Sequence, residues 1–210
     1  MAEVKKSNDI DENVIEKAAE IIKSGGVVVY PTDTLYGLGV NALDSNSVKK
    51  IFEIKGRDFN KPLSIAVHNL EDAKKYAEFS PLALVIAKKF LPGPMTLILP
   101  SKTILPNELN QGDEKVRLRI PDNKIALELI KISGVPLTST SANLSGGKDP
   151  ITAEDSIDQI GDKVDYILDS GKCKYGQGST ILEIIDEKVE FIREGVISKK
   201  IINNFIQRPT

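Results

Sequence analysis

The chain has 210 residues, 40% hydrophobic and 28% charged, with a net charge of -2. That is enough to bury the core of one domain, and too balanced for a disordered chain or for a protein that coats nucleic acid by bulk charge. With one cysteine, Cys173, and one histidine, His68, an intramolecular disulfide and a zinc site built from Cys and His are excluded. His68 is the one imidazole that a Ser-His-Asp or Cys-His mechanism could use. Met1–Asp11 is polar and charged, unlike a signal peptide, and the longest apolar run falls well short of a membrane span. A soluble cytoplasmic protein is expected.

Val14, Ile15, Ala18, Ile21 and Ile22 at helical spacing predict a helix over Asp11–Ser24, stopped by Gly25-Gly26. Val27–Tyr30 reads as a short buried strand ended by Pro31. A second helix starts near Asp44 or Ser45, buries Val48, Ile51 and Phe52, and ends at Lys55-Gly56. Leu63–Val67 is strand-like, and Asn69 suits the cap of a short helix. Ser80-Pro81 opens another helix, which Pro92-Gly93-Pro94 breaks before the apolar strand Met95–Leu99. Ile104–Glu114 is polar and turn-rich, a loop. Val116, Leu118 and Ile120 alternate with Arg117 and Arg119, as in a half-exposed strand. Asp122–Ser133 is helical, and Val135–Thr138 is a strand running into the loop Ser139–Pro150. A helix near Ala153–Ile160 and strands Tyr166–Leu168, Thr180–Ile184 and Val189–Ile192 follow, the last two forming a hairpin about Asp186-Glu187. Ser198–Phe205 closes the chain as a helix. Strands and helices mix without strict alternation, so the expected fold is one α+β domain with a twisted mixed β-sheet flanked by helices. The domain covers residues 11–198, with 199–210 as a short C-terminal helix or tail.

Three stretches concentrate chemistry. Pro31–Gly39 (PTDTLYGLG) sets hydroxyls and one carboxylate at the end of the first strand, where a ligand crevice would form; a turn punctuated by proline and glycine is the plainer alternative. Lys55–Leu63 (KGRDFNKPL) places Lys55, Arg57 and Lys61 on a turn between helix and strand. Glycine lets backbone approach a ligand, arginine offers a planar fork to phosphate oxygens and lysine a point charge, which suits a triphosphate. A solvated basic loop is the equally available alternative. Ser139–Gly147 can turn backbone N–H groups toward an anion, or be a polar turn with Asn143 in a left-handed conformation. Arg119, before Ile120-Pro121, and Arg193, before Glu194-Gly195, stand at strand ends. His68 belongs to a strand end or helix cap, and Cys173 lies in a polar loop with no evident partner. No Walker A sequence is present.

In this order, PTDTLYGLG, KGRDFNKPL and STSAN (Ser139–Asn143) resemble the YrdC family, the threonylcarbamoyl-AMP synthases, over nearly the whole chain. The resemblance implies a YrdC-like fold related to that of dihydroxybutanone phosphate synthase. It also implies a signature tetrad, Lys55, Arg57, Ser141 and Asn143, that the YciO branch lacks. Arg57, Lys61, Ser139, Asn143 and Arg193 would contact ATP. Thr34, Arg119 and Ser141 would contact L-threonine. The implied reaction joins L-threonine, bicarbonate or CO2, and ATP into threonylcarbamoyl-AMP and pyrophosphate. It needs no side-chain nucleophile and no resident metal, with Mg2+ arriving on ATP. A carbamate, a carboxylate and a triphosphate would share one cavity, against which Lys55, Arg57, Lys61, Arg119 and Arg193 supply five cations. The product would pass to a threonylcarbamoyl-transferase complex acting on the adenosine beside the anticodon, with tRNA a candidate direct partner and no membrane involved. Two positions depart from the family pattern: Ala66 stands where some relatives carry histidine, and Asp149 where many carry serine. Rival readings are a non-catalytic RNA-binding module, a lyase-like enzyme on a sugar phosphate, and a carbamoyl-transfer domain like that of hydrogenase-maturation proteins.

Overall fold

The computed structural model describes residues 2–6, 10–102 and 105–207. Eleven strands and eight helices alternate irregularly along them. One sheet contains β1 (Glu3–Lys6), β9 (Tyr166–Asp169), β2 (Val28–Tyr30), β3 (Gly37–Gly39) and β8 (Thr140–Ser141), in that spatial order. The other contains β11 (Lys188–Arg193), β10 (Thr180–Ile185), β5 (Met95–Pro100), β6 (Lys115–Arg119), β4 (Ser64–Ala66) and β7 (Leu137–Thr138). Parallel pairs (β1 with β9, β2 with β9, β10 with β5, β4 with β6) stand beside antiparallel ones, so both sheets are mixed.

The expected single sheet is therefore two, and the joint between them positions the site. β7 and β8 are separated by Ser139 alone, yet they belong to different sheets. At the corner the Ser139 amide donates to Ser64 O at 2.7 Å, and the Thr138 amide to Val40 O at 3.0 Å. The Thr138 hydroxyl donates to Leu38 O and accepts from the Val40 amide, at 2.8 and 3.1 Å. An isolated bridge between Asn41 and Leu137 completes the seam.

The helices start where the caps place them. Asp11, Asp44, Asn69, Ser80 and Asn123 each accept the amide three residues on, opening α1 (Glu12–Lys23), α2 (Ser45–Lys55), α3 (Leu70–Tyr76), α4 (Pro81–Phe90) and α6 (Lys124–Ser133). Each such cap is worth about 1 kcal/mol. α7 (Ala153–Ile160) begins with a full capping box, Thr152 with Asp155. α1 ends at Ser24, whose cap bonds run to Glu20 and Ile22. The apolar face of α1 packs with Ala126, Leu129 and Ile130 of α6 in a smaller core, while the larger core fills the space around both sheets. α8 (Lys199–Ile206) docks on the larger core through buried Ile202, and Phe205 meets Phe90 edge to face.

Several expectations change. Ile104–Glu114 is not all loop: α5 (Asn107–Asn110) forms within it, while Ile104 itself lies outside the described residues. β1 pairs with β9 from a stretch with no apolar pattern. β3 forms through two glycines because the ring of Tyr30 lies across them; a Cβ on Gly37 or Gly39 would sit 2.7 or 2.8 Å from its atoms. Asn143 does not take a left-handed conformation: the described non-glycine residues with positive φ are Gln111, Asp186 and Glu187. The last two form the expected hairpin turn between β10 and β11. Cys173 does lie in a loop, but it is buried against the larger core.

Candidate active site

A cavity of about 490 Å³ lies at the seam between the sheets, a size suited to a small-molecule substrate. Its wall gathers Thr34, Arg57, Ser64, Arg119, Ser139, Ser141 and Arg193, from all three motifs and both strand-end arginines. Register explains the grouping. On β6, Arg117 and Arg119 point to one face, level with Ser64 and Ala66 of β4. Both arginines reach the cavity.

Arg119 is buried and heavily committed. Its Nη2 donates to Asp33 Oδ1, its Nη1 to Thr34 Oγ1 at 2.6 Å, and its Nε to Gly93 O at 3.3 Å. Asp33 Oδ1 also accepts the Asp122 amide at 3.1 Å, tying the strand's exit to the first motif. Asp33 Oδ2 is buried with no partner among the described residues. The Thr32 hydroxyl donates to Leu35 O at 2.6 Å. Its oxygen accepts the Thr34 and Leu35 amides at 3.1 and 3.3 Å and lies 3.0 Å from Thr34 Oγ1. Thr34 Oγ1 then keeps one lone pair beyond the one Arg119 uses.

Gly56, at φ +57°, closes α2 in the left-handed region and turns the chain into the basic loop. Arg57 clasps that loop, donating from Nε to Lys61 O and from Nη2 to Pro62 O, each at 3.1 Å. Burial and then the neighbouring Arg117 lower its guanidinium pKa. Lys55 is placed quite differently. It is buried, and its Nζ donates to Ser141 O, to Asn143 O at 2.7 Å and to Asn143 Oδ1 at 3.0 Å. Burial, then Arg57, pull its ammonium down to about 7, with Asp149 opposing. Asn143 is buried too, accepting from the Ser141 hydroxyl at 2.7 Å and donating to Gly147 O and Lys148 O. Lys55, Ser141 and Asn143 thus form one hydrogen-bonded frame under the Ser139–Gly147 loop, while Arg57, bonded to Lys61 O and Pro62 O instead, shares with Ser141 the cavity side.

Of the five cations counted on the sequence, Arg57, Arg119 and Arg193 line the cavity. Lys55 supports the loop from beneath, and Lys61 is exposed one residue outside the lining. Arg193 donates to Ser179 O through Nε at 3.1 Å and Nη2 at 2.7 Å, and burial lowers its pKa against the pull of Asp149. The Ser179 hydroxyl also meets Thr96 Oγ1 at 2.9 Å. Arg117, Thr96, Gln177 and Ser179 are wall residues that sequence reasoning missed. Only Arg117 left a signal, its period-two relation to Arg119. Ala66 is buried next to Arg119 in register, and Asp149 is exposed on the wall. His68 lies elsewhere, in a smaller cavity of about 220 Å³, with Nδ1 3.1 Å from Leu127 O.

A basic cavity closed by a hydroxyl-rich corner has the chemistry to hold a small anion. The Sua5_yciO_yrdC family model, described as telomere recombination, matches residues 20–195. The chain belongs to this family. It is 45% identical to a putative threonylcarbamoyl-AMP synthase of Methanocaldococcus jannaschii, over 90% of this chain and 91% of that one. It is 39% identical to the threonylcarbamoyl-AMP synthase of Pyrococcus abyssi, over 89% of this chain, and spans 55% of that longer relative. The crystal structure of P. abyssi Sua5 complexed with L-threonine superposes with a TM-score of 0.90 at 36% identity, covering 99% of this chain and 60% of that one. Escherichia coli YciO superposes with a TM-score of 0.85 at 28% identity, covering 95% and 98%. Among the described residues no helix is long and apolar enough to cross a membrane.

Proposed function

We propose that this chain is an L-threonylcarbamoyladenylate synthase. It joins L-threonine, bicarbonate or CO2, and ATP into threonylcarbamoyl-AMP and releases pyrophosphate. The observation that carries the reading is the convergence of Arg57, Arg119, Arg193 and the Ser139–Ser141 corner on one cavity. The threonine amine attacks carbon dioxide and loses a proton, giving a carbamate. A carbamate oxygen then bonds to the α-phosphorus, and the bond from that phosphorus to the β-phosphate's bridging oxygen breaks. Starting from bicarbonate, one water is also released.

Each residue contributes position or charge. Arg119 has five N–H bonds and uses three on the protein, so two remain for the threonine carboxylate. The spare lone pair of Thr34 Oγ1 suits the amine. Arg57 and Arg193 face the nucleotide, with Lys61 at the rim, while the frame of Lys55 and Asn143 holds Ser141 in place and the Ser64 carbonyl holds Ser139. Such preorganised charge is the main means of accelerating a phosphoryl-group displacement. Among the described residues no group of three or more His, Cys, Asp or Glu could hold a metal by itself. Asp149 and Glu194 on the wall fit the one or two carboxylates that Mg2+ takes beside substrate phosphates. When bound, Mg2+ neutralises phosphate charge. The reading also places the chain in the cytoplasm, handing its product to a transferase complex that modifies the adenosine beside the anticodon of tRNA.

The test is pyrophosphate release, with the nucleotide product followed by mass spectrometry. Release should need ATP, threonine and bicarbonate together. Equal release without threonine would mean plain ATP hydrolysis and would sink the reading.

A further inference from the structure

Resting on the synthase reading, we propose that Arg117 is a second guanidinium for the β- and γ-phosphates of ATP and for the departing pyrophosphate, acting with Arg57 at the Ser64 end of the cavity. β6 carries two arginines to the same wall, and they are in opposite states. Arg119 has its charge paired with Asp33 and three of its five N–H bonds committed to Asp33, Thr34 and Gly93. Arg117 is half-buried and lines the cavity, and its side chain makes no hydrogen bond or ion pair among the described residues.

The charges around Arg117 sharpen the point. Lys115, on the same face of β6, is held by Glu183 of β10 at 2.8 Å. The cross-strand partners of Arg117 are Ser64 on β4 and Ile98 on β5, neither of them acidic. The charges it does act on, Arg57 and Lys115, are both cations. Two guanidiniums thus stand over the same end of a partly desolvated cavity, and Asp58 acts on Arg57 more weakly than Arg117 does, so repulsion remains that a polyvalent anion relieves.

Arg119, two residues away along the strand, is about 7 Å further on. Threonine held there leaves the Arg57–Arg117 end for the opposite part of the nucleotide. Charge accumulates on the β-phosphate oxygens as the bond to the α-phosphorus breaks, and a paired guanidinium clamp stabilises that charge where it develops.

The experiment titrates the wild-type chain and Arg117→Gln with inorganic pyrophosphate, ATP and AMP by calorimetry, alongside thermal melts. Losing a charge-assisted contact should weaken pyrophosphate and ATP binding about tenfold or more, while AMP, lacking both outer phosphates, changes by less than about twofold. Without ligand the variant should melt at the wild-type temperature or above, because repulsion with Arg57 is relieved. Arg117→Lys should recover part of the pyrophosphate affinity. Unchanged pyrophosphate affinity in Arg117→Gln, or an equal loss for AMP, overturns the proposal. So does a fall of more than about 5 °C in the unliganded melting temperature, the size of a stability loss of at least 1 kcal/mol, which would make Arg117 structural. Threonylcarbamoyl-AMP formation by the wild-type chain is read in parallel. Its absence overturns the synthase reading and this one together, whereas its presence with unchanged pyrophosphate binding in Arg117→Gln removes only the role of Arg117.

Discussion

Replacing Arg119 by methionine tests how the site is built into the fold. Arg119 and Asp33 are both almost fully buried, with side-chain exposures of 6% and 0%. The arginine also carries the bonds to Thr34 Oγ1 and Gly93 O. Methionine fills most of the stem's volume and removes the charge. Among the described residues Asp33 is then stranded, with Oδ2 already unpartnered and Oδ1 left with the Asp122 amide alone. Breaking a buried pair from one side costs about 3–5 kcal/mol. At about 2–4 °C per kcal/mol for a chain of this size, the melting temperature should fall by about 6–20 °C. The second arm combines Arg119→Met with Asp33→Asn. Asparagine keeps an acceptor for the Asp122 amide and removes the stranded charge, so the double variant should be more stable than Arg119→Met alone. Thermal and denaturant unfolding of the three proteins decide the matter. A fall of less than about 2 °C, under 1 kcal/mol by the same conversion, would refute the reasoning, as would a double variant no more stable than the single.

Two further outcomes follow from buried groups. The folded pKa of Lys55, about 7, lies below its ordinary value of 10.5, so the unfolded chain takes up this proton first as pH falls. Its contribution to stability should be greatest above pH 10.5, decline through the window down to about pH 7, and level off below. Lys55→Met removes that contribution, so the stability gap between wild type and variant should widen from pH 7 to pH 9; a gap that narrows contradicts the sign. Burial raises the Cys173 thiol to about 11, so at pH 8 only about one molecule in a thousand carries the reactive thiolate. An aromatic disulfide reagent should label Cys173 fully in denaturant and hardly at all in the native protein. Rapid stoichiometric labelling of the native chain would contradict its burial.

What the sequence determined by itself was whatever is encoded locally. Caps such as Asp44 and Asn69, the apolar spacing of α1 and α2, and the breaks at Gly25-Gly26 and Pro92-Gly93-Pro94 act within a few residues, so they can be read without the fold. The order of the three motifs is likewise a property of the chain, and it sufficed to mark the family. Tertiary structure decided what depends on distant partners. β1, with no apolar pattern, is a strand only because β9 offers it an edge, and Gly37 and Gly39 are strand only because the Tyr30 ring covers them. The roles of the cations divided on the same principle. On the sequence Lys55, Arg57, Lys61, Arg119 and Arg193 look alike, five positive charges available to an anion. Folding then buried Lys55 beneath the Ser141–Asn143 turn, paired Arg119 with Asp33 and Thr34, and left the Arg117 side chain facing the cavity without a partner among the described residues. A charge's availability is set by which oxygens surround it, and those oxygens come from residues up to 88 positions away along the chain.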